Sequence, residues 1–192
     1  MSVLLDAGPT LNFLAVGQQT VLIRTADAGG LQLTVPQRVD AEIRGMCRDP
    51  RFAKTAAEAT WQKLVAAGRV IVLTDELDTL MFAEAIARIS GVPALERVKS
   101  RKSLGEIMVL AHASTLAQRG TDVVVLIDEG DGRERCRRET EWLNRHQALG
   151  QVVLWSTKQV LKQANPGWFT TGLTWERVYH RMRKFDDGLP AL

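Results

Sequence analysis

The sequence predicts an α/β protein built on one mostly parallel sheet of four or five strands, and three observations carry that expectation. Short apolar runs recur at 3–5, 31–35, 70–73, 122–127 and 151–155, separated by stretches with apolar residues at helical spacing. Strand–helix alternation of this kind makes right-handed crossovers, with helices on both faces of the sheet and every strand C-terminus along one edge. The run Val123-Val124-Val125-Leu126-Ile127 has no polar alternation, which places it in a strand covered on both faces.

Taken in order, Val3 to Leu5 is the first strand, and Thr10 to about Ala28 reads as helix broken near Gly17, because glycine is a poor interior helix residue. Leu31 to Val35 is the second strand. The helix after it is opened by Pro36, whose missing N–H costs nothing at a first helical position, and runs towards Asp49-Pro50. Phe52 to Ala67 is alanine-rich helix stopped at Gly68, and Val70 to Leu73 is the third strand. A helix from Thr74 to Gly91 follows, then a loop over Val92 to Lys102. Ser103 to about Arg119 is a strongly apolar helix, Gly132 to Leu149 another, and Ser156 to Ala164 the helix after the fifth strand. From Gly167 the pattern changes: Trp168, Phe169 and Trp175 precede a basic helix that ends at Asp186-Asp187-Gly188-Leu189-Pro190. The domain reading is therefore residues 1–165 as the α/β unit and 166–192 as a basic helical appendage.

A chain of 192 residues is long enough to bury a sizeable core without disulfides or structural metals. Cys47 and Cys136 lack C-x-x-C spacing and fall in helical patterns, as small apolar residues in a reducing, cytoplasmic setting do. No apolar run approaches the ~20 residues that span a bilayer, and no basic segment precedes the apolar start, so a membrane location is not expected. The net charge of +3 conceals an asymmetry. Lys99, Arg101 and Lys102, then Arg133, Arg135, Arg137 and Arg138, then Arg177 to Lys184, gather the basic residues in the second half, as a polyanionic partner would require. Solvated helix faces account for such runs equally well.

Four carboxylates stand out. Asp6 and Asp128 each end a strand, where both would face one crevice, although aspartate is also a common turn and helix-cap residue. Glu106 shares a helix face with Val109, Leu110, Ala113 and Ala117, so an acid sits on an apolar stripe. Ser103-Leu104-Gly105-Glu106 also matches an S-x-x-E capping box, which would explain the position but not the other acids. Glu42 lies between Val39 and Met46 in a similar way, with Asp40 as an alternative. Like charges at close range raise each other's pKa, and a divalent cation resolves the conflict. Oxygen-only ligation suits Mg²⁺ or Mn²⁺, whereas His112, His146 and His180 have no mutual zinc-ligand spacing. Such a site can activate water against a phosphodiester.

These residues, in this order, resemble the PIN-domain family of metal-dependent ribonucleases, which includes VapC-type toxins. Leu5-Asp6-Ala7-Gly8-Pro9-Thr10-Leu11-Asn12 is similar to the family's opening motif. Val35-Pro36 with Val39 and Glu42-Ile43 is similar to the second, Leu104-Gly105-Glu106 to the third, and Leu126-Ile127-Asp128-Glu129 with Gly132-Arg133 to the fourth, so the match covers about Val3 to Gln163. The resemblance implies an α/β/α sandwich in which Asp6, Glu42, Glu106 and Asp128 are catalytic and bind Mg²⁺ or Mn²⁺, with Glu129 or Asp131 sharing the metal role. It further implies Asn12 as a polar helper, Arg133 and Arg135 as substrate-positioning residues, RNA as substrate, an antitoxin partner and a homodimer.

Two other classes compete. A PIN-like RNA-binding or scaffold protein without activity would use Arg133 to Arg138 and the terminal basic helix for phosphates, and its binding would be salt-sensitive. A haloacid-dehalogenase-type phosphatase also places an aspartate after its first strand but needs a second acid two residues on, where this chain has Gly8. No G-x-x-x-x-G-K-[ST] or G-x-G-x-x-G loop occurs, which leaves nucleotide hydrolysis and dinucleotide chemistry without support.

Overall fold

A computed structural model describes residues 1–192 except Thr171 and Asp187, so the Asp187 of the terminal motif lies outside the described residues. Five strands, β1 (Ser2–Leu5), β2 (Gln32–Pro36), β3 (Val70–Leu73), β4 (Val123–Leu126) and β5 (Val152–Trp155), form one all-parallel sheet in the order β3-β2-β1-β4-β5. The expectation of an α/β fold on one mostly parallel sheet of four or five strands is met by a sheet of five, all parallel. All residues of β4 are buried, as its unbroken apolar run requires.

Between the strands lie α1 (Ala7–Ala15), α2 (Gln19–Ala28), α3 (Gln37–Met46), α4 (Ala57–Ala66), α5 (Leu80–Ser90), α6 (Ala94–Arg97), α7 (Leu104–Gln118), α8 (Gly130–Arg145), α9 (Thr157–Gln163) and α10 (Trp175–Met182). The break between α1 and α2 falls at Gly17, whose φ of +67° lies in the left-handed region that glycine adopts without strain. Several boundaries differ from the sequence reading: α1 begins at Ala7 and not Thr10, and α8 spans Gly130–Arg145 and not Gly132 to Leu149. The helix expected from Phe52 begins only at Ala57, the one expected from Thr74 begins at Leu80 behind the Thr79 cap, and the loop at 92–102 contains α6.

The direction of travel reverses at β1. The chain steps from β1 to β2 to β3, then crosses back to β4 and β5, so the switch point lies between β1 and β4. Ligand sites of open α/β sheets form outside the strand C-termini at such a point. Helix α7 lies against β1, β2, β4 and β5 and touches α3, α5 and α8. It is buried nearly all round, which is why its sequence is apolar on every side. Helices α1, α2, α4, α9 and α10 form the other layer. Helix α3 touches both α1 and α7 and so crosses the C-terminal edge of the sheet.

The terminal basic helix is not peripheral. Val178, Tyr179 and Met182 of α10 are fully buried in the main core, Leu189 is 1% exposed, and the Tyr179 hydroxyl donates to the Pro190 carbonyl at 3.0 Å. Its basic residues lie on the opposite face. Cys47 and Cys136 are buried free thiols, and burial pushes Cys136 up to about 11. Among the described residues, no helix is long and apolar enough to cross a membrane.

Candidate functional site

A crevice of about 470 Å³ opens at the switch point, lined by Asp6, Arg38, Ala41, Glu42, Arg101, Ser103, Gly105, Glu106 and Glu129. Each acid arrives for a local reason. Asp6 follows β1 in extended conformation as the residue before α1, without a side-chain capping bond, Glu106 sits in the first turn of α7, and Glu129 is the residue before α8. Three helix N-termini thus meet here, and their partial positive charge favours anions. Glu42 projects from α3, which begins at the end of β2.

The close approach of the acids depends on two glycines. A Cβ at Gly105 would stand 2.5 Å from Glu42 Oε2, and one at Gly132 would stand 2.7 Å from the Glu106 carboxyl carbon and 2.9 Å from Ile127 Cγ2. These are contacts no real Cβ makes, so glycine at both positions admits a carboxylate against a neighbouring helix backbone.

Burial pushes Asp6 up to about 7, helped by the charges of Glu42, Glu106 and Glu129 and opposed by the Ala7 backbone N–H. Glu42 is raised by desolvation against the pull of Arg38, with Glu129 adding to the rise; the residue is exposed, and its Oε2 lies close to Gly105. Glu106, 6% exposed, is raised by burial despite its ion pair with Arg135.

Asp128 behaves differently from its sequence reading. It lies two residues past β4, which ends at Leu126, and both of its carboxylate oxygens are taken up by Thr157. The Thr157 backbone N–H donates to Oδ1 at 2.8 Å and the Thr157 hydroxyl donates to Oδ2. Adjacent residues leaving a strand point to opposite sides, so the crevice receives Glu129 while Asp128 is bound to the start of α9. Burial raises Asp128, with Asp186 contributing to the rise.

The remaining expected residues are also accounted for. Asn12 donates to Asp186 Oδ2 at 2.7 Å and does not assist Asp6. Asp131 is exposed and outside the crevice lining, although its charge reaches Glu106. Asp40 is held by Arg44 and by the Trp61 indole N–H, so it is no substitute for Glu42. Arg133 donates to the Ile127 carbonyl at 3.1 Å, and Arg135 donates to Glu106, so in this structure both arginines engage the protein itself. The Ser103–Glu106 capping box is absent: Ser103 has a φ of 51° and makes no side-chain cap bond, which leaves the glutamate free for Arg135. His112 bonds Asp75, His146 stacks on Trp142, and His180 is exposed.

Three features escaped the sequence. Arg38 stands one helical turn before Glu42, a spacing that could have marked it. Asp75, after β3, accepts the Arg38 backbone N–H at 2.6 Å and faces His112 Nε2 at 2.8 Å, so one carboxylate ties α3 to α7, the helices that carry Glu42 and Glu106. Asp186 reaches Asn12 from 174 positions away, which no local pattern announces.

Comparison with known proteins finds no matching family model, no matching curated protein and no matching solved structure.

Among the described residues, no three His, Cys, Asp or Glu side chains form a group placed to hold a metal ion. The donor chemistry nonetheless fits a hard cation. Four carboxylates share one crevice, only Glu106 among them has a basic partner in ion-pair contact, and Asp6, raised mainly by burial, is raised further by the charges of Glu42, Glu106 and Glu129. Carboxylates in this condition repel one another, and a bound cation would offset that repulsion.

Proposed function

We propose that the chain is a PIN-type, Mg²⁺- or Mn²⁺-dependent endoribonuclease, the toxin of a toxin–antitoxin pair, working as a homodimer. The observation that supports this reading is the convergence of Asp6, Glu42, Glu106 and Glu129 on one crevice between β1 and β4. RNA as the substrate rests on the resemblance of the four motifs. Asp6, Glu42, Glu106 and Glu129 would hold the ion, with Glu129 in the place the motif match gives to Asp128. A bound divalent ion lowers the pKa of a water and neutralises charge developing on phosphate oxygens.

The chain's own residues do the rest. With its pKa raised to about 7, Asp6 would hold a proton part of the time near neutrality and would give it up on ligating a divalent ion. Arg38 and Arg101, on the crevice wall, bind phosphate oxygens and orient the scissile bond. The test is cleavage of single-stranded RNA with Mn²⁺ by wild type and Asp6→Asn. Metal-dependent cutting lost in the variant is the expected result; equal cutting in both, or none with either metal, refutes the proposal.

A second reading, an RNA-binding or scaffold protein without activity, is favoured by the ion pair of Arg135 with Glu106, which gives that acid a cation of its own. Under it, RNA binds in a salt-sensitive manner, and Mn²⁺ gives no acid-dependent rise in melting temperature.

A further inference from the structure

The crevice continues into a basic lane. Ser103 lines both the crevice and an adjoining cavity of about 440 Å³, and Arg135 lines that cavity and a third of about 210 Å³. The charged walls are Arg97, Lys102 and Arg135 against Glu96 in the second cavity, and Arg88, Arg135, Arg138 and Arg145 against Glu139 in the third. Glu139 is already neutralised by Arg88 at 2.5 Å. These cations come from α5, α6, α8 and the loop before α7, so the lane is a product of folding and not of one helix's solvated face.

Arg135 is the hinge of this arrangement. It belongs to the lane, yet its guanidinium pairs with Glu106 of the acidic crevice. Two forces act on it. Glu106 attracts it, while Arg97, buried beside it and fixed to the Ser100 and Lys102 carbonyls, repels it. A phosphate in the lane can accept two N–H bonds from the Arg135 guanidinium, where Glu106 accepts one. Once Arg135 leaves, Glu106 is a buried carboxylate near Glu129 and Asp131, which is a state that a divalent cation stabilises.

We infer that a single RNA strand lays its phosphates along the lane from Lys102 to Arg145 and draws Arg135 off Glu106, so that substrate binding readies the acid crevice for its cation. The inference rests on the ribonuclease reading above. A chain of cavities leading directly from the acids favours a nucleic-acid strand over an acidic peptide, because the strand must continue on from the phosphate being cut. Linkage makes the effect reciprocal: RNA tightens cation binding by the same factor that the cation tightens RNA binding.

The test measures Mn²⁺ affinity of the full chain by the electron paramagnetic resonance of free Mn²⁺, with and without a single-stranded 2′-O-methyl oligonucleotide that resists cleavage, after correction for ion held by the oligonucleotide alone. Wild type should bind Mn²⁺ at least about fivefold more tightly with the oligonucleotide present. Arg135→Gln should reach the tighter value without it and gain nothing further. The doubly substituted Arg138→Glu, Arg145→Glu chain, altered only at exposed positions, should lose about tenfold or more in oligonucleotide affinity and show no coupling at the same concentration. An oligonucleotide that binds wild type without changing Mn²⁺ affinity overturns the inference and leaves the nuclease reading standing. Equal coupling by polyglutamate overturns the assignment of RNA to the lane. Mn²⁺ binding indifferent to Asp6→Asn overturns both readings.

Discussion

Gly132 of α8 presses so closely on Glu106 of α7 that a Cβ there would stand 2.7 Å from the carboxyl carbon. Glycine to alanine within an exposed helix ordinarily stabilises by about 1 kcal/mol. Gly132→Ala should instead destabilise by about 1–3 kcal/mol, because Glu106 is held by Arg135 and Ile127 Cγ2 blocks the other side. Gly130→Ala, with nothing within 4 Å of the new Cβ, is the internal control and should be neutral or stabilising. Denaturant unfolding of the two variants checks the contrast; the same sign for both removes the packing argument.

Asp6 makes stability depend on pH in an unusual direction for a carboxylate. Its folded pKa, about 7, lies above its ordinary value of 3.8, so the folded state holds its proton where the unfolded state has lost it. Without divalent ions, stability should fall as pH rises from about 4 to about 7 and level off above, a loss of about 4 kcal/mol from this group alone. Asp6→Asn removes this group's share of the dependence and leaves that of Glu42, Glu106 and Asp128, which are raised as well. The variant should be more stable than wild type at pH 8 and nearly equal to it at pH 4, as urea unfolding at the two pH values will show. A variant less stable than wild type at pH 8 contradicts this electrostatic account.

Truncation after residue 165 tests the standing of the C-terminal segment. Removing it deletes three fully buried side chains of α10, each worth about 1.5–3 kcal/mol. The shortened chain should unfold without cooperativity or melt at least about 10 °C lower. Circular dichroism melting measures this, and an unchanged melting curve would mean that the segment is an independent addition.

The strands were legible because each is a short apolar run between turn residues, and the sheet's parallel character followed from the helices between them. Helix starts were read less well. Thr74 and Thr79 are both acceptable caps, and only tertiary packing selects Thr79, whose hydroxyl accepts the Phe82 N–H. Asp6, Glu42 and Glu106 could be placed from sequence because each follows a strand or interrupts an apolar helix face. The exchange of Glu129 for Asp128 could not, since both stand at the end of β4 and the choice depends on donors from Thr157, 29 positions away. The basic terminal helix looked like an appendage because its charges dominate the composition, although Trp175, Val178, Tyr179 and Met182 stand at i, i+3, i+4 and i+7, the spacing of a core-facing stripe.

The central claim is that four acids form one divalent-cation site, and titration calorimetry with Mn²⁺ at pH 7 tests it most directly. Wild type should bind one ion and release protons as it does, because Asp6 is partly protonated beforehand. Asp6→Asn should abolish the proton release, Glu129→Gln should weaken binding by about tenfold or more, and Asp128→Asn should have a smaller effect than Glu129→Gln. Absence of Mn²⁺ binding in wild type, or binding of equal strength in wild type, Asp6→Asn and Glu129→Gln, would contradict the claim.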